Sequence, residues 1–565
     1  METRPWQRHY DYEVPLTLRY PRIPAQEFLY YAANGFPDKA ATHFYGSEIS
    51  YYNLRRQVLR LANALGALGV QQGDRVGLHL PTSPQYVIAY HAVLSLGAVG
   101  VNLNPMYTPD ELKRIAADTA MTTLITFDMV LPNIVQVCQA VPIPRVVMTR
   151  ITDYIQGLPQ STPAEMGLPE GWHHFSQLIE GSTQTRVPRV SISPEDPALI
   201  QYTGGTTGLP KGAVLTHGNI VAATIQVSVW GKMTIGNVPP EKKSVLAILP
   251  YFHVYGTIVC QHWAIANAAT QYLVPRFEIN EFMGLLAGFQ EITFFPTVPT
   301  LINALLKHPK SVELNLDRKI KLLNSGAAPM PLELIEQVKD LGISYSEGWG
   351  MSETTSLGVS NPVFGLRKPG SIGIPWPDTD VRLVDVVNGT EDVPRGEPGE
   401  ILIRSPLVMQ GYWNNPAETR GQLQDGWLHT GDIAVFDEDD YLYIVDRKKD
   451  MIIAGGFNVY PREIDEVLFQ HPKIQEAVCV GLADEYRGET VKAYVVLKEG
   501  AQATAEEIVS FCKEHLATYK VPKQVEFREA LPKSAVGKIL RKTLRAEEEA
   551  KKRNGKDEHS TSNIE

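Results

Sequence analysis

The stretch Tyr202–His217 reads YTGGTTGLPKGAVLTH. It holds four glycines, four threonines and one lysine before it turns apolar. Glycines let backbone N–H groups turn inward and approach a polyanion closely. The hydroxyls of Thr203, Thr206 and Thr207 are donors for phosphate oxygens, and Lys211 supplies a mobile point charge. The spacing is not that of a Walker A loop, G-x-x-x-x-G-K-[ST]. Leu209 and Pro210 separate Gly208 from Lys211, and Gly212 stands where Ser or Thr belongs. A surface loop is the plain alternative, since Gly and Thr clusters mark loops in general. The flanks favour the phosphate cradle. PALIQYT reads as a buried strand before the loop and HGNIVAATIQVSVW as a helix after it. Strand, phosphate loop and helix in that order form a nucleotide-binding unit.

The same alternation extends outward. ISYYNLRRQVLRLANALGALGV has the period of an amphipathic helix, and DRVGLHLP, VGVNLNP, TTLITF and RVVMTR read as strands. This pattern predicts an α/β fold: a large N-terminal domain of mixed, largely parallel sheets flanked by helices. From Asp425 to Gly456 short strands alternate with Asp/Gly turns, around a basic cluster of Arg447, Lys448 and Lys449. A compact α+β segment follows, with YPREIDEVLFQ and TAEEIVSFCKEHL as helices and IQEAVCVGL and VKAYVVLKE as strands. The domain boundary is placed at Asp446–Asp450, giving domains 1–446 and 447–545. The tail, 546–565, has almost no apolar residues and is expected to be disordered.

At 565 residues the chain exceeds what one core organises. A formal net charge of −10 argues against nucleic acid as a partner. Cys138, Cys260, Cys479 and Cys512 form no C-x-x-C pair, which points to buried thiols in a reducing compartment rather than a zinc site or a disulfide framework. The N-terminus lacks the apolar core of a signal peptide. The segment Val87–Val101 is apolar but short for a membrane span, and reads as a buried helix turning into a buried strand. The expected location is the cytoplasm. Contact with a membrane surface and a homodimer are both compatible with it.

Four further stretches carry chemistry. YSEGWGMSETT, Tyr345–Thr355, is Gly- and hydroxyl-rich after an apparent strand end, with Glu353 as a candidate Mg²⁺ ligand beside a triphosphate. Tyr345 or Trp349 offers a face for a base, though such aromatics are more often core. NSGAAPMP, Asn324–Pro331, is small enough to line a purine; a tight turn explains it almost as well. LHTGDIA sets Asp432 at a Gly turn, where a carboxylate accepts from ribose hydroxyls, and Arg447 lies in the next turn region. LPKSAVGKILRK places Lys538 in a Gly turn, where a solvated charge is the ordinary reading.

Taken together and in order, these motifs resemble the adenylate-forming enzymes, which include acyl- and aryl-CoA synthetases, peptide-synthetase adenylation domains and beetle luciferases. The resemblance runs from about Tyr30 to Arg541. It implies that Thr203, Gly204, Gly205, Thr206, Thr207, Gly208 and Lys211 hold phosphates. It implies that Gly326, Ala327, Ala328 and Pro329, with Glu347, Gly348, Trp349, Gly350, Met351 and Ser352, surround the nucleotide. Glu353 is implied as metal ligand, Asp432 and Arg447 as ribose partners, Lys449 as hinge and Lys538 as the adenylation lysine. Gly455 and Gly456 are implied on the CoA side in a second arrangement of a small mobile α+β C-terminal domain. VNLNPMYTPDEL, LPYFHVYG and DEYRGETVKAYVVLKEG are most similar to bacterial long-chain fatty-acid–CoA ligases. His253 matches a histidine at the mouth of the acyl pocket, with Tyr255 and Gly256 beside it where some members carry a tryptophan gate. Trp230 has no role in any of these motifs.

The implied reaction joins a fatty acid to ATP with loss of pyrophosphate, then passes the acyl group from AMP to CoA. The implied cosubstrates and cofactor are ATP, CoA and Mg²⁺. An aryl- or medium-chain acid–CoA ligase, an acyl-AMP ligase feeding a carrier protein, and a non-catalytic nucleotide- or acyl-binding protein are the alternatives. Intact Lys211, Glu353, Asp432 and Lys538 argue against the last.

Overall fold

The computed structural model describes residues 4–203, 210–328, 330–454, 457–484, 488–533 and 539–560. The chain divides into two compact units, Met1–Asp380 with Ile403–Leu428, and Val381–Leu402 with His429–Glu565.

Among the described residues the first unit is built on two large sheets. In one, strands β1 Arg75–Leu78, β2 Val99–Asn102, β3 Thr123–Phe127, β4 Arg145–Thr149 and β5 Pro197–Thr203 run parallel, in the order β5-β2-β1-β3-β4. Their Val-, Ile- and Leu-rich runs are those of strands covered on both faces. Helix α1, Tyr51–Ala67, is capped by the Ser50 hydroxyl, which accepts from the Asn53 N–H. Helix α2, Pro84–Ser95, is buried at every residue and leads into β2, as expected for Val87–Val101. No helix among the described residues is long and apolar enough to cross a membrane.

The reading around the glycine loop needs one correction. The loop is followed not by a helix but by a strand, β6 Lys211–Thr216, antiparallel to β5 with Thr203 opposite Lys211. Strands β5 and β6 thus form an antiparallel hairpin. Helix α3, His217–Trp230, begins only after β6, behind a capping box in which the Thr216 hydroxyl accepts from the Asn219 N–H. The β-branched and small residues of KGAVLT suit a strand, but the prolyl and glycyl residues before them hide it.

In the second sheet β7 Ser244–Ala247, β8 Ile292–Thr297, β9 Ile320–Ser325 and β10 Tyr345–Trp349 run parallel in that order. Tyr345–Trp349 was expected to follow a strand; it is one, and all five of its residues are buried. Beyond it the antiparallel pair Val359–Ser360 and Ile374–Pro375 ends the sheet. Leu246, Phe295, Leu323, Leu334 and Val338 lie in the apolar core on one face.

In the second unit, strands β11 Gly399–Arg404, β12 Trp427–Phe436 and β13 Leu442–Arg447 belong to one sheet, and β14 Ile452–Ala454, β15 Ile474–Asp484 and β16 Gly488–Leu497 to another. Helices α4 Pro461–Phe469 and α5 Ala505–His515 supply Ile464, Leu468 and Ile508 to the core of the second. The boundary read at Asp446–Asp450 falls inside this unit, at the end of β13. Most of the tail expected to be disordered is helical, α6 Arg541–Ser560. Leu544 is buried in one apolar cluster with Val478 and Val480, and the buried Lys492 ammonium pairs with Glu548 at 2.9 Å. A buried cation requires such a partner, which a count of apolar residues does not reveal.

Candidate active site

The hairpin β5–β6 sets Lys211 at the first residue of β6. A short strand, Gly411–Tyr412, pairs antiparallel on the other edge of β6, with Tyr412 opposite Ala213. The Trp413 N–H donates to the Gly212 carbonyl at 2.7 Å and extends that pairing. The Asn415 side chain then accepts from the Glu418 N–H and caps the helix Pro416–Gln422. These local rules bring Tyr412 and Glu418 to Lys211. The Lys211 ammonium forms an ion pair with Glu418 and lies 5.5 Å from the Tyr412 ring centroid, within cation–π range.

Tyr412 also reaches Glu353. Its hydroxyl donates to Glu353 Oε1 at 2.8 Å, with Tyr412 8% and Glu353 6% exposed. The Met409 N–H donates to the Glu353 carbonyl at 2.8 Å. Burial, and then the adjacent Glu353 carboxylate, push the Tyr412 phenol far above its ordinary range. The candidate phosphate lysine and the candidate metal carboxylate therefore share one tyrosine. Neither Tyr412 nor Glu418 was singled out in the sequence, although GYWNNPAE puts both within one short stretch.

The nucleotide candidates gather at the C-terminal ends of β9 and β10, where parallel sheets receive ligands. Glu347 does not face an open site with its carboxylate alone. Its Oε1 accepts from the Met330 N–H at 3.2 Å and its Oε2 from the Tyr345 hydroxyl at 3.3 Å, so it fixes the turn after β9. In that turn Gly326 is buried, Ala328 is half-buried, and Ala327 is exposed with φ +66°. A non-glycine residue in the left-handed region costs about 1–2 kcal/mol, so the turn is held by its surroundings. A Cβ on Gly326 would stand 3.1 Å from the Tyr255 ring. Trp349 is core rather than an exposed stacking face. Gly348 and Gly350 are required by packing, because a Cβ would overlap Ser360 Oγ in the first case and the Ser356 carbonyl in the second. Met351 and Ser352 are half-buried beside Glu353.

On the acyl side, His253 is half-buried and its Nδ1 accepts from the Tyr255 N–H at 3.3 Å. The Tyr255 hydroxyl donates to Asn324 Oδ1 at 2.7 Å, joining this segment to β9. Gly256 opens a π-helical segment, Gly256–His262, and a Cβ there would overlap the Pro250 carbonyl. π-Helical turns recur at functional sites. A buried polar chain ties the histidine segment to β5: Tyr86 donates to Asn102 at 2.6 Å, Asn102 to Gln201 at 3.0 Å, and Gln201 to the Phe252 carbonyl at 3.2 Å. Its sequence signal was a lone Asn and a lone Gln at the ends of otherwise apolar strands.

In the second unit Asp432 lies within β12 rather than in a turn, with Gly431 at φ +72° just before it. Arg447 ends β13 directly opposite, and its Nε is 3.1 Å from Asp432 Oδ1. The buried Glu400 carboxylate accepts from the Gly431 N–H at 3.1 Å and from Lys448 Nζ at 2.9 Å, and so shapes this corner. The Lys449 carbonyl accepts from Arg545 Nη1 at 3.3 Å. Gly204, Gly205, Thr206, Thr207, Gly208, Pro329, Gly455, Gly456 and Lys538 lie outside the described residues.

Residues 29–413 match the family described as AMP-binding enzyme, and residues 463–538 match the AMP-binding enzyme C-terminal domain. The long-chain-fatty-acid–CoA ligase of Bacillus subtilis (strain 168) is 40% identical over 556 residues, covering 96% of this chain and 98% of its own. The long-chain-fatty-acid–CoA ligase of Salmonella typhimurium is 37% identical over 563 residues, covering 97% and 98%. Among solved structures, the anthranilate CoA ligase AuaEII in complex with anthranoyl-AMP superposes with a TM-score of 0.82 at 28% identity, over 94% of this chain and 98% of that one. The match over residues 29–413, with relatives 37–40% identical along nearly the whole chain, makes this chain a member of the AMP-binding enzyme family.

Proposed function

We propose that the protein is an AMP-forming fatty-acid–CoA ligase. It converts a fatty acid and ATP to acyl-AMP and pyrophosphate, then acyl-AMP and CoA to acyl-CoA and AMP. The observation that carries this reading is the convergence of Lys211 and Glu353 on Tyr412, in a chain alike over nearly its full length to two long-chain-fatty-acid–CoA ligases.

A carboxylate must approach a triphosphate, so the site has to screen negative charge. Lys211 supplies one cation at the head of β6. The donor set suits a metal shared with substrate: Glu353 offers a buried carboxylate, and, among the described residues, no group of three or more His, Cys, Asp or Glu could hold an ion by itself. Glu353 would hold Mg²⁺ there, with phosphates and water completing its shell, and the ion would neutralise phosphate charge. Little covalent help is needed beyond positioning and charge. The turn at Gly326, Ala327, Ala328 and Pro329 and the strand end at Glu347–Ser352 take the adenine. Asp432 takes the ribose hydroxyls, with Arg447 orienting it. Thr203 and the loop 204–208 take phosphates.

The two half-reactions need different surroundings. The first gains from a second cation at the α-phosphate; the second needs a path for a thin thiol arm. A small domain, 447–545, turning at Lys449 serves both, with Lys538 present in the first arrangement and Gly455 and Gly456 in the second. His253, Tyr255 and Gly256 form the mouth of the acyl pocket. The unpaired cysteines fit a reducing compartment, and we place the enzyme in the cytoplasm.

A second reading, an aryl acid–CoA ligase, has one observation in its favour: the likeness to the anthranilate ligase. Acid-dependent exchange of pyrophosphate into ATP decides between them. Saturated fatty acids should support exchange and benzoate or cinnamate should not; the reverse order would overturn the fatty-acid reading.

A further inference from the structure

Between β7 and the π-helical segment the chain turns through residues 249–255, and His253 sits in this turn. Three of the turn's carbonyls accept from side chains that belong to other parts of the first unit or to the π-helical segment. The Leu249 carbonyl accepts from Thr82 Oγ1 at 3.3 Å, the Tyr251 carbonyl from Thr257 Oγ1 at 2.6 Å, and the Phe252 carbonyl from Gln201 Nε2 at 3.2 Å. The carbonyl that Gln201 holds is therefore the one directly before His253.

Gln201 is placed by the pleat of β5. It stands two residues before Thr203, where the phosphate hairpin begins, so the same strand that leads into the phosphate loop also presents the amide to the histidine turn. Asn102, at the end of β2, is its register partner. Gln201 Oε1 accepts from Asn102 Nδ2 at 3.0 Å, and Asn102 Oδ1 accepts from the Tyr86 hydroxyl at 2.6 Å. Asn102 Nδ2 also lies 3.5 Å from Thr257 Oγ1.

Tyr86 and Thr257 are 0% exposed, Asn102 2% and Gln201 4%. A buried carboxamide is tolerated only when its bonds are made, and an apolar side chain of the same size fills such a place without that demand. What the amides add is direction. They fix the backbone of the histidine turn against β5, which apolar packing alone does not specify.

Resting on the reading of His253 as an acyl-side residue, we propose that Gln201 and Thr257 are positioning residues for adenylation. They act through backbone carbonyls of the His253 turn, and so set where the acid's carboxylate stands relative to phosphates received at the end of β5. Adenylation joins two separate anions, and a misplacement of about 1 Å there costs on the order of a hundredfold. Transfer to CoA starts from acyl and AMP already joined, so it does not depend on that spacing.

The test follows both half-reactions in the wild type, Gln201→Met and Thr257→Val, with melting curves to confirm folding. The first is palmitate-dependent exchange of pyrophosphate into ATP; the second is conversion of supplied palmitoyl-AMP and CoA to palmitoyl-CoA. Gln201→Met keeps the length of the side chain and removes the donor. Its kcat for exchange should fall about ten- to a hundredfold. Its KM for ATP and its rate of conversion should stay within about twofold of the wild type. Thr257→Val acts on the same turn from its other end and should show the same split, so the split is read even if Gln201→Met does not fold. In a His253→Ala background Gln201→Met should cost less than about threefold, because the residue it positions is gone. Folded variants with wild-type exchange, equal losses in both half-reactions, or the full loss retained beside His253→Ala overturn this assignment alone. A wild type that exchanges with benzoate and not with palmitate overturns the fatty-acid reading instead, and the split is then read with benzoate.

Discussion

The Tyr412 hydroxyl donates to Glu353 Oε1 at 2.8 Å while the Tyr412 ring lies 5.5 Å from the Lys211 ammonium. One buried side chain thereby fixes the spacing of a cation and a carboxylate that are remote from each other in sequence. Tyr412→Phe keeps the ring and removes the bond. We expect the fold and the cation–π contact to survive and the Mg²⁺ concentration for half-maximal activity to rise several-fold. Glu353→Gln should do more, with turnover falling about a hundred- to a thousandfold, as for loss of one preorganised charged group. Titration of activity with Mg²⁺ in both variants checks this; an unaltered requirement in Glu353→Gln would remove Glu353 from the site.

Glu418 holds Lys211 in an ion pair beside that ring. The pair is partly exposed, so its worth to stability is small, about 0–1 kcal/mol. Its expected effect is on positioning. Lys211→Ala should lower kcat/KM for ATP about thirty- to a thousandfold, equivalent to roughly 2–4 kcal/mol. Glu418→Ala should leave melting within a degree or two and raise KM for ATP several-fold with less change in kcat. Pyrophosphate-exchange kinetics separate the two parameters. Identical kinetics in Glu418→Ala and the wild type would make the ion pair incidental.

Much of this arrangement was legible in the sequence, and the misses share a cause. Repeating apolar runs revealed the parallel strands β1 to β5 because covered strands need such runs. Lys211, Glu353 and Asp432 stood out only together, as charges in Gly-containing stretches whose order resembles one family. What stayed hidden was pairing across distance. Nothing in KGAVLT says that β6 folds back on β5, and nothing in GYWNNPAE says that Tyr412 meets Glu353, because both depend on which strand lies next to which. Glu400 and the tail helix escaped for the same reason: each is fixed by a partner remote in sequence, Gly431 and Lys448 for one, Lys492 for the other.

Acid should destabilise the first unit through its buried histidines. Burial lowers His79 and His217 to about 4 and His91 to about 3. An unfolded chain takes up these protons near pH 6.5, the folded one only near pH 3–4. Between these limits the unfolded state binds more protons, so stability falls as pH falls from about 6.5 towards 4, by up to about 3 kcal/mol per histidine. Melting temperature measured across that range should drop steeply. His91→Gln should flatten the slope; a flat profile in the wild type would show that these rings are not buried in the neutral form.

Lys538→Ala tests the proposed separation of the two half-reactions. If the C-terminal domain brings it to the α-phosphate for adenylation only, Lys538→Ala should lose about thirty- to a thousandfold in acyl-AMP formation. The same variant should convert supplied acyl-AMP and CoA to acyl-CoA at close to the wild-type rate. Equal losses in both steps, with an unchanged melting curve, would contradict the alternation.

The account's central claim is that the protein activates a fatty acid through acyl-AMP and hands it to CoA. Incubation of the purified protein with palmitate, ATP, Mg²⁺ and CoA, followed by separation of all products, tests this most directly. The account predicts palmitoyl-CoA, AMP and pyrophosphate in equal amounts, and acyl-AMP with pyrophosphate when CoA is left out. ADP and phosphate in place of AMP and pyrophosphate, or no acyl-CoA at all, would contradict it.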